Sequence, residues 1–130
     1  VLSQPLTSPQ FQQLSPAALA YIGDAVYELY IRQHYLLPPK RLQAYHQQVV
    51  AQVRAERQAA HLRSLLPDLT TLELEIVRRG RNAAVGKPKR IDAETYQQAT
   101  ALETLIGYLH LTDSARLANV LSQLNLDPTH

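Results

Sequence analysis

Leu19-Ala20-Tyr21-Ile22-Gly23-Asp24-Ala25-Val26-Tyr27-Glu28 sets one carboxylate, Asp24, within what otherwise reads as an apolar helical stripe. Leu19, Ile22, Val26 and Leu29 recur at the three- and four-residue steps of a buried helix face, and Asp24 lies beside that face between Gly23 and Ala25. Small neighbours let another backbone approach closely. A carboxylate taken out of water is costly unless it is paired, hydrogen-bonded or bound to a metal. The stretch therefore reads either as a site or as a partly exposed Asp bonded to a neighbouring helix end.

Working outward, Ser15-Pro16 is a strong helix start, with a capping hydroxyl and proline at the first helical position; this helix is expected to run to about Leu36, before Pro38 and Pro39. A second helical stretch from about Lys40 to Leu66 offers Val49, Val50, Val53 and Leu62 as inward positions, and Pro67 stops it. Thr70 or Thr71 opens a third helix through Leu72, Leu74, Ile76 and Val77, which Gly80 is expected to terminate. Asp92 restarts the chain into a helix reaching Leu111, with Ala99, Leu102, Leu105, Ile106 and Leu109 inward. Thr112 or Asp113 caps a last helix through Leu117, Val120, Leu121 and Leu124. With no strand alternation, the expectation is an all-α fold of about five principal helices. Residues 1–13 read as a leader, 14–126 as one domain and 127–130 as a tail.

The fourth of these helices repeats the oddity of the first. Ala99-Thr100-Ala101-Leu102-Glu103-Thr104-Leu105-Ile106-Gly107-Tyr108 places Glu103 in a run of apolar and small residues. If Gly23 and Gly107 mark a close helix crossing, Asp24 and Glu103 converge on one divalent cation, with water and phosphate oxygens completing its shell. Such a cation polarises a phosphodiester and acidifies water, the chemistry that RNA hydrolysis needs.

Composition narrows the class further. At 130 residues the chain is long enough for one core and too short for two ordinary domains, and without cysteine it holds neither a disulfide nor a thiolate zinc site, as fits a reducing cytoplasm. No apolar run is long enough to span a bilayer, so no membrane partner is expected, and the first ten residues, with Pro5 and Pro9 and no basic run, do not resemble a secretory signal. The chain opens on Val1 in place of methionine, as a processed or recombinant fragment would. Net charge is only +2, yet Arg78, Arg79, Arg81, Lys87, Lys89 and Arg90 cluster with no acid among them, beside Gly80, Asn82 and Gly86. The segment suits either phosphate contact or a solvated loop that keeps the protein in solution.

Tyr21-Ile22-Gly23-Asp24-Ala25-Val26 resembles the signature of the ribonuclease III catalytic domain, and Leu102-Glu103-Thr104-Leu105-Ile106-Gly107 its second acidic motif. The nearer match is the compact Mini-ribonuclease III branch, which lacks a double-stranded-RNA-binding domain. Arg79-Gly80-Arg81-Asn82-Ala83, Pro88-Lys89 and Thr95-Tyr96 agree as well, so the resemblance covers about Leu14 to Leu124. It implies an all-α homodimer that hydrolyses double-stranded or structured RNA with magnesium, manganese being a plausible substitute. It further implies a cytoplasmic role in maturing the large-subunit (23S) ribosomal RNA precursor, with a ribosomal protein as candidate helper.

On that resemblance Asp24 and Glu103 are the catalytic metal ligands, and Glu28 and Thr100 are candidates for an outer shell. Arg78, Arg79, Arg81, Asn82, Lys87, Lys89 and Arg90 are the RNA-backbone contacts, in a segment that orders on the duplex. Full-length enzymes of the family carry a second acid in each motif, where this chain has Ala20 and Thr100; fewer anionic ligands make the substrate phosphate a more important one. Ala84 stands where the family pattern has lysine, and Arg90 where it has asparagine. Tyr21, Tyr27, Tyr30 and Tyr108 fit core packing or dimer contact better than base stacking, because a duplex offers no unstacked bases. His34, His46, His61 and His110 show no metal-ligand spacing. Two rivals stand beside this reading: a catalytically silent RNA-binding module of ribosome assembly, and a helical protein-interaction domain whose basic loop meets an acidic partner.

Overall fold

The computed structural model describes residues 6–130 and is all-α. Its elements are α1 (Ser8–Gln12), α2 (Pro16–His34), α3 (Leu42–Val53), α4 (Ala55–Leu65), a 3-10 turn (Leu66–Asp68), α5 (Thr71–Ala83), α6 (Ala93–Thr112) and α7 (Ser114–Ser122). Pro5 and the rest of the leader's start lie outside the described residues. The leader's later part forms α1, opened by a reciprocal capping box between Thr7 and Gln10.

Four helix starts follow from local chemistry. Ser15 accepts from the Ala18 amide, Thr70 from Glu73, Asp92 from Thr95 and Asp113 from Arg116, so each cap satisfies a backbone donor that the helix cannot. Glu73 serves twice, because its carboxylate also caps Thr70 at 2.9 Å and receives Arg116 of α7 at 2.8 Å. That arginine holds the Glu73 carboxyl below the usual range and fastens α7 to the start of α5.

Three boundaries differ from expectation. The second helical stretch is two helices, because Arg54 turns extended (ψ 150) between α3 and α4. Gly80 sits buried inside α5 and does not end it; the helix continues to Ala83. A side chain at Gly80 would strike the Thr104 hydroxyl and side chain, so this glycine is a packing contact between α5 and α6. With the second stretch split and α1 added, the five expected helices become seven among the described residues, besides the 3-10 turn.

The inward face of α2 is also rotated from its expected setting. Leu19, Ala20, Gly23, Tyr27 and Ile31 are buried, whereas Leu29 is 57% exposed. The small residues and Tyr27 face α6, and the branched residues that read as the stripe lie at its margin. Val50, Leu72 and Leu74 are likewise exposed. In α6 the expected Ala99, Leu102, Leu105, Ile106 and Leu109 are all buried, together with Ala101, Thr104 and Gly107. This helix is enclosed on nearly every side by α2, α4, α5 and α7.

The α2–α6 crossing is the tightest packing in the fold. A Cβ on Gly23 would overlap the Glu103 carbonyl and stand 2.8 Å from the Gly107 nitrogen; one on Gly107 would overlap the Leu19 carbonyl, 2.8 Å from its carbon. Backbone lies on backbone, which only glycine permits. Gly23→Ala or Gly107→Ala forces the helices apart and is expected to destabilise the protein by roughly 3 kcal/mol. Chemical denaturation of the two variants checks this, and wild-type stability in either would contradict the crossing.

Candidate active site

Because Asp24 follows Gly23 and the Glu103 carbonyl is what Gly23 touches, the glycine crossing sets the two acids side by side. Asp24 and Glu103 line one cavity of about 240 Å³ together with Thr100 and Ala20. Its mouth is formed by Pro16, Ala17 and Tyr21 from the α2 end and by Ala83, Ala84, Val85 and Tyr96 from the other side. Tyr21 is 85% exposed there. The Tyr96 hydroxyl donates to the Val85 carbonyl at 3.1 Å and ties the chain leaving α5 back to α6.

The electrostatics of the pair are those of two anions forced together. Glu103 is half-buried, and its carboxyl is pushed up to about 8, first by burial and then by hydrogen bonding to, and the charge of, Asp24. The amide of Gln58 in α4 acts in the opposite direction. Two adjacent carboxylates fit a hard, oxygen-preferring divalent cation such as magnesium, which would remove their repulsion. Among the described residues, no cluster of three or more His, Asp or Glu side chains is arranged for a metal, so this chain's candidate donors are the two acids.

The other expected site residues separate. Thr100 lines the cavity with the acids. Glu28 is engaged elsewhere, accepting from Arg32 at 2.8 Å on the exposed side of α2. The basic segment is partly paired with flanking acids: within α5 Glu75 pairs with Arg78 and, at 3.5 Å, with Arg79, while Glu94 of α6 pairs with Arg81. Exposed side-chain pairs of this kind exchange readily with water and other anions. Asn82 is exposed at the end of α5. Lys87, Lys89 and Arg90 are exposed on the connection to α6, where Gly86 adopts φ +71. Those three make none of the ion pairs found among the described residues.

Of the tyrosines, Tyr27 is buried and donates to the Gln52 carbonyl at 2.7 Å, and burial raises its hydroxyl well above the ordinary range. Tyr30 and Tyr108 are half-buried. His61 is buried, and burial lowers its pKa. Sequence reasoning missed Gln58, a polar side chain that is buried and that lowers the Glu103 carboxyl. Its one signal was an amide between Arg57 and Ala59, in a chain where glutamine is abundant.

Residues 17–114 match the Ribonuclease III domain family, and the chain belongs to this family of ribonucleases. Within that family its relatives are Mini-ribonuclease 3 proteins. One from Synechocystis sp. is 56% identical over 94% of this chain and 85% of its own length. One from Synechococcus sp. is 61% identical, over 87% and 82%. A crystal structure of a protein from Fusobacterium nucleatum has the same fold, with a TM-score of 0.75 and 30% identity over 85% of this chain and 94% of that one.

The raised Glu103 carboxyl has a consequence for metal-free protein. An acid whose pKa is higher folded than unfolded favours folding at low pH, and that contribution is lost as pH rises through the folded value. In EDTA, stability is expected to fall between the ordinary glutamate range and about pH 8, by up to about 1.4 kcal/mol per pH unit. Glu103→Gln is expected to flatten this window, and Asp24→Asn to narrow it. Denaturation midpoints from pH 5 to 9 check this; an identical slope in wild type and Glu103→Gln would contradict it.

Proposed function

We propose that the chain is a magnesium-dependent endoribonuclease that cleaves double-stranded or structured RNA as a homodimer, with manganese able to replace magnesium. The observation that carries this reading is the convergence of Asp24 and Glu103 in one cavity beside a cationic loop. Family membership supports the ribonuclease activity, and the Mini-ribonuclease 3 names of the relatives support this branch of it.

Asp24 and Glu103 would hold the cation between their carboxylates, and Thr100 stands in the same cavity to orient water or phosphate. A bound magnesium supplies Lewis acidity toward the phosphodiester and lowers the pKa of water. With only two acids from the protein, affinity for the cation depends on substrate phosphate, so metal and RNA bind cooperatively.

Lys87, Lys89 and Arg90 meet the phosphates first. Arg78, Arg79, Arg81 and Asn82 then exchange Glu75 and Glu94 for RNA oxygens where the duplex reaches them. A-form RNA is recognised mainly by its shape, phosphates and 2′-hydroxyls, which matches a loop with cations and no exposed aromatic platform. Pairing two copies about a two-fold axis gives one site per antiparallel strand. The exposed Tyr21, Leu29 and Leu36 on and just beyond α2 are apolar surface for such a seam. The proposed setting is the cytoplasm and the proposed substrate the large-subunit ribosomal RNA precursor, with a ribosomal protein as helper. Among the described residues no helix is long and apolar enough to cross a membrane.

The test is cleavage of an end-labelled ribosomal precursor stem, in magnesium or EDTA, by wild type, Asp24→Asn and Glu103→Gln. Specific cuts that require magnesium and fall at least about 1,000-fold in both variants, with RNA binding retained, are the expected result. Binding without cleavage by wild type would favour the silent RNA-binding module instead.

A further inference from the structure

Ala84 to Asp92 connect α5 to α6 and carry the exposed cations Lys87, Lys89 and Arg90. This connection is held at several points along its length. Ala84 leaves α5 extended (ψ 118), with its amide still donating to the Arg81 carbonyl at 3.3 Å. Val85 follows, and its carbonyl accepts from the Tyr96 hydroxyl at 3.1 Å. Gly86 then turns with φ +71, where a β-carbon would meet nothing within 4 Å, so this glycine serves a backbone reversal and no close packing. The Ile91 amide donates to the Pro88 carbonyl at 3.2 Å and closes the cationic tip.

Of these bonds, the one from Tyr96 is the least required by its surroundings. Val85 is 80% exposed, so water would satisfy its carbonyl in the absence of a side-chain donor. Tyr96 is half-buried on α6, whose start is fixed by Asp92 accepting from both the amide and the hydroxyl of Thr95. The connection is thereby tied to a rigid element. Tyr96 and Val85 both line the cavity that holds Asp24 and Glu103, and their bond sets the root of the cationic tip at one place on its rim. A second staple, Arg81 with Glu94, joins the same two helices, but an exposed ion pair gives way to another anion. The Tyr96 bond is neutral and spares every cation for RNA.

We propose that Tyr96 is a positioning residue for RNA capture: its hydroxyl latches Val85 to α6, so that Lys87, Lys89 and Arg90 are presented from a fixed root beside the acids before RNA arrives. The inference rests on the reading that this connection meets RNA phosphates. With the root fixed, only the span from Gly86 onward has to order on the duplex, and less conformational entropy is lost on binding.

The test is Tyr96→Phe, which removes the hydroxyl and keeps the ring, made in the full chain and again in a background lacking the tip cations (Lys87→Ala with Lys89→Ala and Arg90→Ala). The measurements are kcat and KM on a duplex RNA in magnesium, Kd for the same duplex by fluorescence anisotropy, backbone amide order parameters across residues 84–91 of the free protein, and the thermal midpoint. Tyr35→Phe, which removes another hydroxyl–carbonyl bond, to Asp127, is the comparison. Tyr96→Phe is expected to raise KM and Kd by about 3-fold to 10-fold, the usual net worth of one hydrogen bond, and to lower the order parameters of the tip. Its kcat and thermal midpoint stay at wild type. Without the tip cations the same substitution is expected to change Kd by less than about 2-fold, because the two changes act through one another. Tyr35→Phe is expected to lower the midpoint and leave KM alone.

Wild-type KM, Kd and order parameters in Tyr96→Phe would overturn the latch while leaving the ribonuclease reading intact. An undiminished effect in the background without tip cations would overturn it too, by showing that the hydroxyl meets RNA itself. A wild type that binds duplex RNA without cutting it would overturn the proposed activity, with Kd still deciding the latch. A wild type that does not bind duplex RNA would overturn both.

Discussion

Everything at the site depends on two helices touching backbone to backbone. Where Gly23 of α2 crosses Gly107 of α6, neither position has room for a β-carbon, so the separation and register of the helices are set by main-chain atoms. Asp24 is one residue from the first glycine, and the Glu103 carbonyl lies directly against it. The carboxylates therefore inherit their placement from the stiffest contact in the fold. Gly80 makes a third close approach, on Ala101 and Thr104 of the same α6, which brings the end of α5 and the basic connection alongside the cavity.

This arrangement puts like charges together, and the rest of the site answers that repulsion. Burial and Asp24 hold a proton on Glu103 up to about pH 8, which is the state expected of an acid pair waiting for a cation. The Gln58 amide acts the other way and favours the ionised form. Farther out, Lys87, Lys89 and Arg90 offer exposed positive charge to a polyanion. Cationic density is thereby kept outside the cavity and does not compete for the acids.

Local chemistry was legible in the sequence and long-range neighbours were not. Ser15, Thr70, Asp92 and Asp113 cap helices as their residue types imply, and the paired motifs around Asp24 and Glu103 disclosed both the close crossing and the family. The buried face of α2 was misread because hydropathy favours Val26 and Leu29 over alanine, glycine and tyrosine, whereas a tight crossing selects small residues and leaves the branched ones outside. Gly80 read as a stop because glycine commonly ends helices, but its partner, Thr104, is distant in sequence. No proline or glycine announces the break at Arg54, where α3 ends and α4 begins. Glu75 pairs with Arg78 and Arg79 at the three- and four-residue steps of α5 itself, whereas the pairing of Glu94 with Arg81 emerges only once α5 and α6 are side by side.

The central claim is that the glycine crossing builds one cation site from Asp24 and Glu103. Diffraction from Mn2+-soaked crystals, measured at the manganese absorption edge, tests it most directly because the anomalous signal locates the ion without reference to activity. The account predicts an anomalous peak bridged by the two carboxylates and absent in Asp24→Asn. A peak elsewhere on the molecule, or none between these residues at saturating Mn2+, would contradict it.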